Sequence, residues 1–127
     1  MTIELMRKPM HVAAIIVAAG IGSRMGGPVN KHLLPIAGRP VLAHTLSVFQ
    51  ACPIIDDIIL VGDQERLDVY QEIVASNAFT KVRAIAPGGA TRQESCANGL
   101  AEASAADIVC VHDGARPLVT QRVIAES

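Results

Sequence analysis

Four short runs of apolar residues punctuate the chain: VAAIIVA at 12–18, DIILVG at 57–62, KVRAIA at 81–86 and DIVCVH at 107–112. Each has the length of a strand, and each is nearly continuous in its apolar character instead of alternating. Alternation marks a sheet with one wet face, whereas a continuous run marks a strand covered on both faces. The runs therefore predict the central strands of a parallel sheet.

Between the runs the period becomes helical. In PVLAHTLSVFQA (40–51), Val41, Leu42, Thr45, Leu46, Val48 and Phe49 form one broad apolar face, and Pro40 suits the first helical turn. Residues 64–76 predict a second, more polar helix with Asp63 as its N-cap. Thr91-Arg92-Gln93-Glu94 has capping-box spacing and opens a third helix, running to about Ser104. Thr120 is placed to cap a fourth. Strands alternating with helices at this spacing predict an α/β fold with a doubly wound, mostly parallel sheet.

Composition refines this picture. The 127 residues suffice for one domain with a real core. Half are apolar but only 2% are aromatic and none is Trp, so the core must be built from Ala, Val, Ile and Leu. A net charge of −1 supplies no global field toward nucleic acid. No apolar run approaches the roughly 20 residues of a membrane-spanning helix. Cys52, Cys96 and Cys110 are odd in number and form no CxxC pair. That argues against a disulfide framework or zinc site and for a reducing cytoplasm. Arg7 and Lys8 precede an apolar run, as in a signal peptide, but the run is short, rich in Val and Ile, and ends in glycines, which fits a strand better. Residues 1–11 read as a loose leader.

In a doubly wound sheet, ligands bind beyond the carboxyl ends of the strands, at the point where the strand order reverses. The segments to search are therefore Ala19–Gly27, Gly62–Asp63, Pro87–Arg92 and Asp113–Pro117. The first lies within VAAGIGSRMGG (17–27). Its GxG start fails the dinucleotide fingerprint at Met25, and the Walker spacing fails because Pro28 stands where Lys is needed. What remains is GxGSRM, with Lys31 seven residues beyond Arg24. Glycines let backbone amides approach phosphate oxygens. Arg24 can grip two oxygens at once, and Lys31 adds a mobile point charge. A surface turn with two solvated cations is the competing reading.

The text around this loop, AAGIGSRMGGPVNKHLLPIAGRPVLAHTL, resembles the opening of the sugar-phosphate cytidylyltransferases. GGATRQESCANGL (88–100) is similar to their GGxxRxxSVxxGL segment, and VHDGARP (111–117) to their VHDAARP segment. The three motifs occur in order, each after a predicted strand, and the resemblance runs from about Val12 to Thr120. Enzymes acting on 2-C-methyl-D-erythritol 4-phosphate look most similar, and those acting on ribitol 5-phosphate next. One departure is Asn30-Lys31-His32, where the family usually has Pro-Lys-Gln.

The resemblance implies a Rossmann-like nucleotidyltransferase fold that moves CMP from CTP onto a sugar or polyol phosphate and releases pyrophosphate, as in isoprenoid precursor synthesis. It implies Mg²⁺ as the divalent cation, CTP and a sugar phosphate as partners, and neither nucleic acid nor membrane. Arg24 and Lys31 would be catalytic; Ala18, Ala19, Gly20, Gly22, Gly89, Arg92 and Ser95 would bind nucleotide; Asp113 would hold the metal. Arg92 could instead order its loop, and Arg116 could pair with phosphate or Asp113. Tight strand–helix packing is the other reading of Ala18 and Ala19. The helix opening near Thr91 aims an anion-favouring N-terminus at this region. His32, His44 and His112 are expected to be structural or surface residues.

Family members are longer. Their second half implies the rest of the sugar-phosphate pocket, another acidic metal ligand, a further lysine and a dimer-forming arm. Residues 12–127 are thus expected to be the nucleotide-binding part of a truncated domain. Such a chain would bind CTP–Mg²⁺ weakly, show little transfer and self-associate through uncovered sheet. The alternatives are a ribitol-5-phosphate cytidylyltransferase and a CTP-binding module without turnover.

Overall fold

The computed structural model describes residues 10–18, 35–36 and 38–114. Strand β1 is Val12–Val17; β2, Pro35–Ile36, and β3, Arg39–Pro40, form a short antiparallel hairpin. Helix α1 (Val41–Ala51) leads to β4 (Asp57–Gly62), then α2 (Leu67–Ser76), β5 (Val82–Pro87), α3 (Arg92–Glu102) and β6 (Ile108–Asp113). The four long strands make one sheet in the order β5-β4-β1-β6, every neighbouring pair parallel. The expected runs and the expected parallel α/β sheet are both present. The strand order grows outward from β1 on one side and then jumps back to its other side. The reversal point therefore lies between β1 and β6.

Helices cover both faces. On one, Leu42, Ala43, Leu46 and Phe49 of α1 and Tyr70 and Ile73 of α2 pack on Ala14, Ile16, Ile58 and Leu60. On the other, α3 lies over Ala13, Ile15, Val17, Ile59 and Val61, with Ala86 and Ala103 closing the cluster. A Cβ on Gly99 of α3 would stand 2.7 Å from Ile15 Cγ2 and 3.0 Å from Val61 Cγ2, so glycine lets this helix approach the sheet closely. The apolar runs are continuous because β1 and β4 are buried from both sides. Edge strand β6 is only half-buried, and Ile108 and Val111 are exposed.

Several local expectations need correction. Pro40 is not in the first helical turn: it is the N-cap residue of α1 and pairs with Pro35. Asp63 makes no side-chain cap, its carboxylate lying 3.4 Å from Arg66 Nη1 instead. A 3-10 turn, Gln64–Arg66, precedes α2, so the second helix starts later than expected. Helix α3 ends at Glu102, short of Ser104. The β2–β3 hairpin was not expected at all. It turns at Gly38, whose φ of +83° is a left-handed value that favours glycine. Arg39 fastens it to the body, donating to Asn77 Oδ1 and Ser47 Oγ at 3.1 Å each. His11, within the stretch read as a leader, donates its amide to Asp107 Oδ2 at 2.7 Å, and its ring contacts Asp57. The helix expected from Thr120 lies outside the described residues.

Candidate nucleotide site

The carboxyl ends of β1, β4, β5 and β6 lie along one edge of the sheet. One expected site residue, Asp113, stands at the reversal point: its register partner is Val17, the residue before Ala18, and the Gly114 amide donates to the Val17 carbonyl at 3.0 Å. Asp113 therefore stands beside the start of the glycine segment, half-buried on the face shared with Val17. The first turn and a half of α1 secures this corner: Thr45 Oγ1, fully buried, donates to the Gly114 carbonyl at 2.9 Å. The ring of His112 lies against Phe49, 5.1 Å between centroids, which is the structural role expected of it.

Ala18 is fully buried, in keeping with tight packing under the strand end. Its amide continues the ladder to the Val61 carbonyl at 2.7 Å. Its own carbonyl receives the Tyr70 hydroxyl from α2 at 3.4 Å. The Tyr70 ring in turn lies on Gly62, where any Cβ would overlap it. Ala19, Gly20, Gly22, Arg24, Lys31 and Arg116 lie outside the described residues.

Across β1 from Asp113, the segment joining β5 to α3 holds the other expected residues. Thr91 caps α3, its Oγ1 accepting from the Glu94 amide at 3.1 Å. In an ordinary capping box the glutamate would return to the cap's own amide. Here Glu94 Oε1 accepts from the Ala90 amide at 2.6 Å, one residue earlier. Ser95, only 2% exposed, accepts from the Gly89 amide at 3.0 Å. The Gly88 amide donates to the Gly62 carbonyl at 2.7 Å. Gly89 has no room for a side chain, because a Cβ would overlap that of Glu94. Arg92 is exposed at the first position of α3.

A helix start attracts anions through unspent amides and a positive dipole end. At α3 the Glu94 amide is bonded to the Thr91 cap, and in the loop before it the amides of Gly88, Gly89 and Ala90 are internally bonded. Sequence reasoning singled out Gly89, Arg92 and Ser95 but passed over Glu94 and Asn98, whose Nδ2 donates to the Pro87 carbonyl at 2.8 Å. The capping-box spacing was the one signal for Glu94; Asn98 had none.

Among the described residues, no three His, Cys, Asp or Glu side chains converge as a metal cage. The Asp113 carboxylate is of a type that suits a hydrated divalent cation, since such a cation as Mg²⁺ takes one or two carboxylates, keeps several waters and borrows phosphate oxygens. Cys52, Cys96 and Cys110 are free thiols. No helix among the described residues is long and apolar enough to cross a membrane.

Comparison with known proteins identifies the family and the fold. Residues 12–127 match the model of the 2-C-methyl-D-erythritol 4-phosphate cytidylyltransferase family. The cytidylyltransferase of that name from Geotalea uraniireducens is 42% identical over 122 residues, covering 93% of this chain and 52% of the relative. The one from Dehalococcoides mccartyi is 49% identical over 115 residues, covering 91% and 50%. A crystal structure of 4-diphosphocytidyl-2C-methyl-D-erythritol synthase from Anaerococcus prevotii superposes with a TM-score of 0.72 at 31% identity, covering 93% of this chain and 49% of that one. The chain spans about half the length of the relatives it matches.

Proposed function

Because this chain belongs to the 2-C-methyl-D-erythritol 4-phosphate cytidylyltransferase family, we propose that it supplies the nucleotide-handling part of CMP transfer from CTP to 2-C-methyl-D-erythritol 4-phosphate. Residues 12–127 form that part. The observation that carries the reading is the pairing of the β1 and β6 ends. It sets Val17, which leads into Ala18 and the glycine segment, beside Asp113, at the point where such sheets bind ligands.

In the reaction, an oxygen of the sugar phosphate attacks the α-phosphorus of CTP. The bond from that phosphorus to the bridging oxygen of the β-phosphate breaks, and pyrophosphate leaves. The nucleophile is already anionic, so a strong general base is not required. The chemical demand is to bring anions together and to stabilise charge in the transition state. Arg24 and Lys31 meet it as paired cations, one forked and one mobile. Gly20 and Gly22 open the loop to the triphosphate; Ala18 and Ala19 keep the floor beneath the nucleotide shallow. Gly89, Arg92 and Ser95 would form the wall toward the base and ribose, Arg92 by touching the nucleotide or by ordering its loop. Asp113 would hold Mg²⁺, which when bound neutralises triphosphate charge; Arg116 would pair with Asp113 or a phosphate. Free thiols suit action in the cytoplasm.

Calorimetric titration of the 127-residue chain with CTP in the presence of Mg²⁺ tests the reading. Saturable heat is expected, and none should remain in Asp113→Asn at the same concentrations. A flat titration of the parent chain overturns it. In a chain extended to the full length of its relatives, Arg24→Ala should lower pyrophosphate release with methylerythritol phosphate by about 100-fold or more.

A further inference from the structure

The segment that carries Arg24 and Lys31 leaves the sheet at Ala18, and the described chain resumes at Pro35. The two ends are held by different means. Ala18 is fixed by the sheet, its amide donating to the Val61 carbonyl at 2.7 Å and its carbonyl accepting from the Tyr70 hydroxyl of α2. The other end is not part of that sheet. It enters hairpin β2–β3, which has two residues per strand and stands apart from the four long strands. A hairpin that small is not stable by itself. Chain continuity joins it to α1 through Pro40. Arg39 joins it to α2 as well: its Nη1 donates to Asn77 Oδ1 and its Nη2 to Ser47 Oγ, both at 3.1 Å.

Both acceptors are aimed by bonds that do not involve the arginine. Asn77 donates its Nδ2 to the Ile73 carbonyl, one turn back in α2, at 2.8 Å, which turns Oδ1 the other way. Ser47 donates its hydroxyl to the Ala43 carbonyl at 2.9 Å, which leaves its lone pairs for the guanidinium. Asn77 is also the C-cap of α2, and a helix end of that sign favours a cation. A planar guanidinium fits two fixed acceptors on two helices, which a lysine ammonium matches less well. Tyr70 and Asn77 stand about two turns apart, so α2 meets both ends of the segment. We propose that Arg39 is a positioning residue for CMP transfer: it sets the point at which the Arg24–Lys31 segment rejoins the body, and so the reach of those two cations to the triphosphate. The inference rests on the nucleotide reading above. An anchor displaced by about an ångström is enough to misplace a charge that must meet phosphate oxygens. Arg39 touches no nucleotide in this account.

The test compares binding of CTP and CMP, each with Mg²⁺, to the 127-residue chain and its variants by calorimetry. The two ligands share base, ribose and α-phosphate and differ in the outer phosphates that the cations would grip. The parent should bind CTP about tenfold or more tighter than CMP. Arg39→Ala and Asn77→Ala should each shrink that ratio about threefold or more, and the double variant no further than the larger single effect. Ser47→Ala, which removes the second acceptor from within α1, should shift the ratio the same way. Arg83→Ala removes an equal charge at the far edge of the sheet and should leave the ratio at the parent value. A general loss of stability weakens both ligands alike and leaves the ratio unchanged. A ratio that falls in Arg39→Ala but not in Asn77→Ala makes Arg39 a direct phosphate contact and overturns the positioning role. An unchanged ratio in both, with CTP still bound, overturns the inference and leaves the functional reading standing.

Urea unfolding decides the tie without any ligand. Arg39→Ala and Asn77→Ala should each change the unfolding equilibrium constant, and the double variant should depart from the product of the two changes by about twofold or more. Changes that multiply cleanly mark two independent residues and overturn the tie. A parent chain that binds neither nucleotide, or both alike, overturns the functional reading, and the inference with it.

Discussion

The two faces of the sheet are packed on different scales. Under α1 and α2 the cover is large: Leu42, Leu46, Phe49, Tyr70, Ile73 and Phe79 interlock with β1 and β4. Under α3 it is small, with Ala86, Gly99 and Ala103 doing the closing, and Leu100 turned outward. The first face is where removal of side-chain volume should hurt. The second is where addition should hurt, because its function is closeness. A helix held tight to the sheet can send Glu94, Ser95 and Asn98 onto strand-end backbone; a helix standing off on bulky side chains could not.

Substitutions at contrasting positions break or sharpen this contrast. Phe49→Ala should be the most damaging, costing about 3–5 kcal/mol in urea unfolding, because it empties a buried ring position that also supports His112. Its counterpart on the other helix, Leu100→Ala, should stay within about 0.5 kcal/mol, since Leu100 is 48% exposed. Next comes Gly99→Val. Overpacking against Ile15 and Val61 should cost about 1–3 kcal/mol despite the better helix propensity of valine over glycine. A stabilised Gly99→Val variant would refute close approach as the purpose of that glycine. Smaller again is Thr91→Ala, which removes the α3 cap and should cost about 1 kcal/mol, with Thr91→Ser near the parent. As small as Leu100→Ala is Arg83→Ala at the opposite edge of the sheet. Its pair with Asp57 is 3.4 Å long and half-exposed, so the change in melting should fall within about 0.5 kcal/mol.

The parts of the fold that were legible are those where one physical demand dominates. Ile15, Ile16, Ile59 and Leu60 read as central strands because burial on both sides leaves no polar alternation. Thr91 and Glu94 read as a helix start because capping needs that spacing. The β2–β3 hairpin was not legible: two residues per strand, with a proline at each outer position, carry no period. Asp63 read as a cap because its type suits one. An arginine three residues on competed for the carboxylate and won, and a 3-10 turn replaced the first helical turn.

For the candidate site, residue types were legible but their local partners were not. Ser95 stands in a nucleotide motif, and nothing in that motif reveals that its oxygen receives the Gly89 amide. The meeting of Val17 with Asp113 depends on a strand register between segments about a hundred residues apart, which local pattern cannot encode.

One earlier contact gives this chain a built-in optical reporter. Tyr70 is its sole tyrosine, and there is no tryptophan. All near-ultraviolet emission excited selectively in aromatic hydroxyl-bearing rings therefore comes from one fully buried phenol, set against Gly62 and hydrogen-bonded to the Ala18 carbonyl. Without any label, its quantum yield and circular dichroism report on a single peptide group at the root of the glycine segment, together with the larger of the two cores.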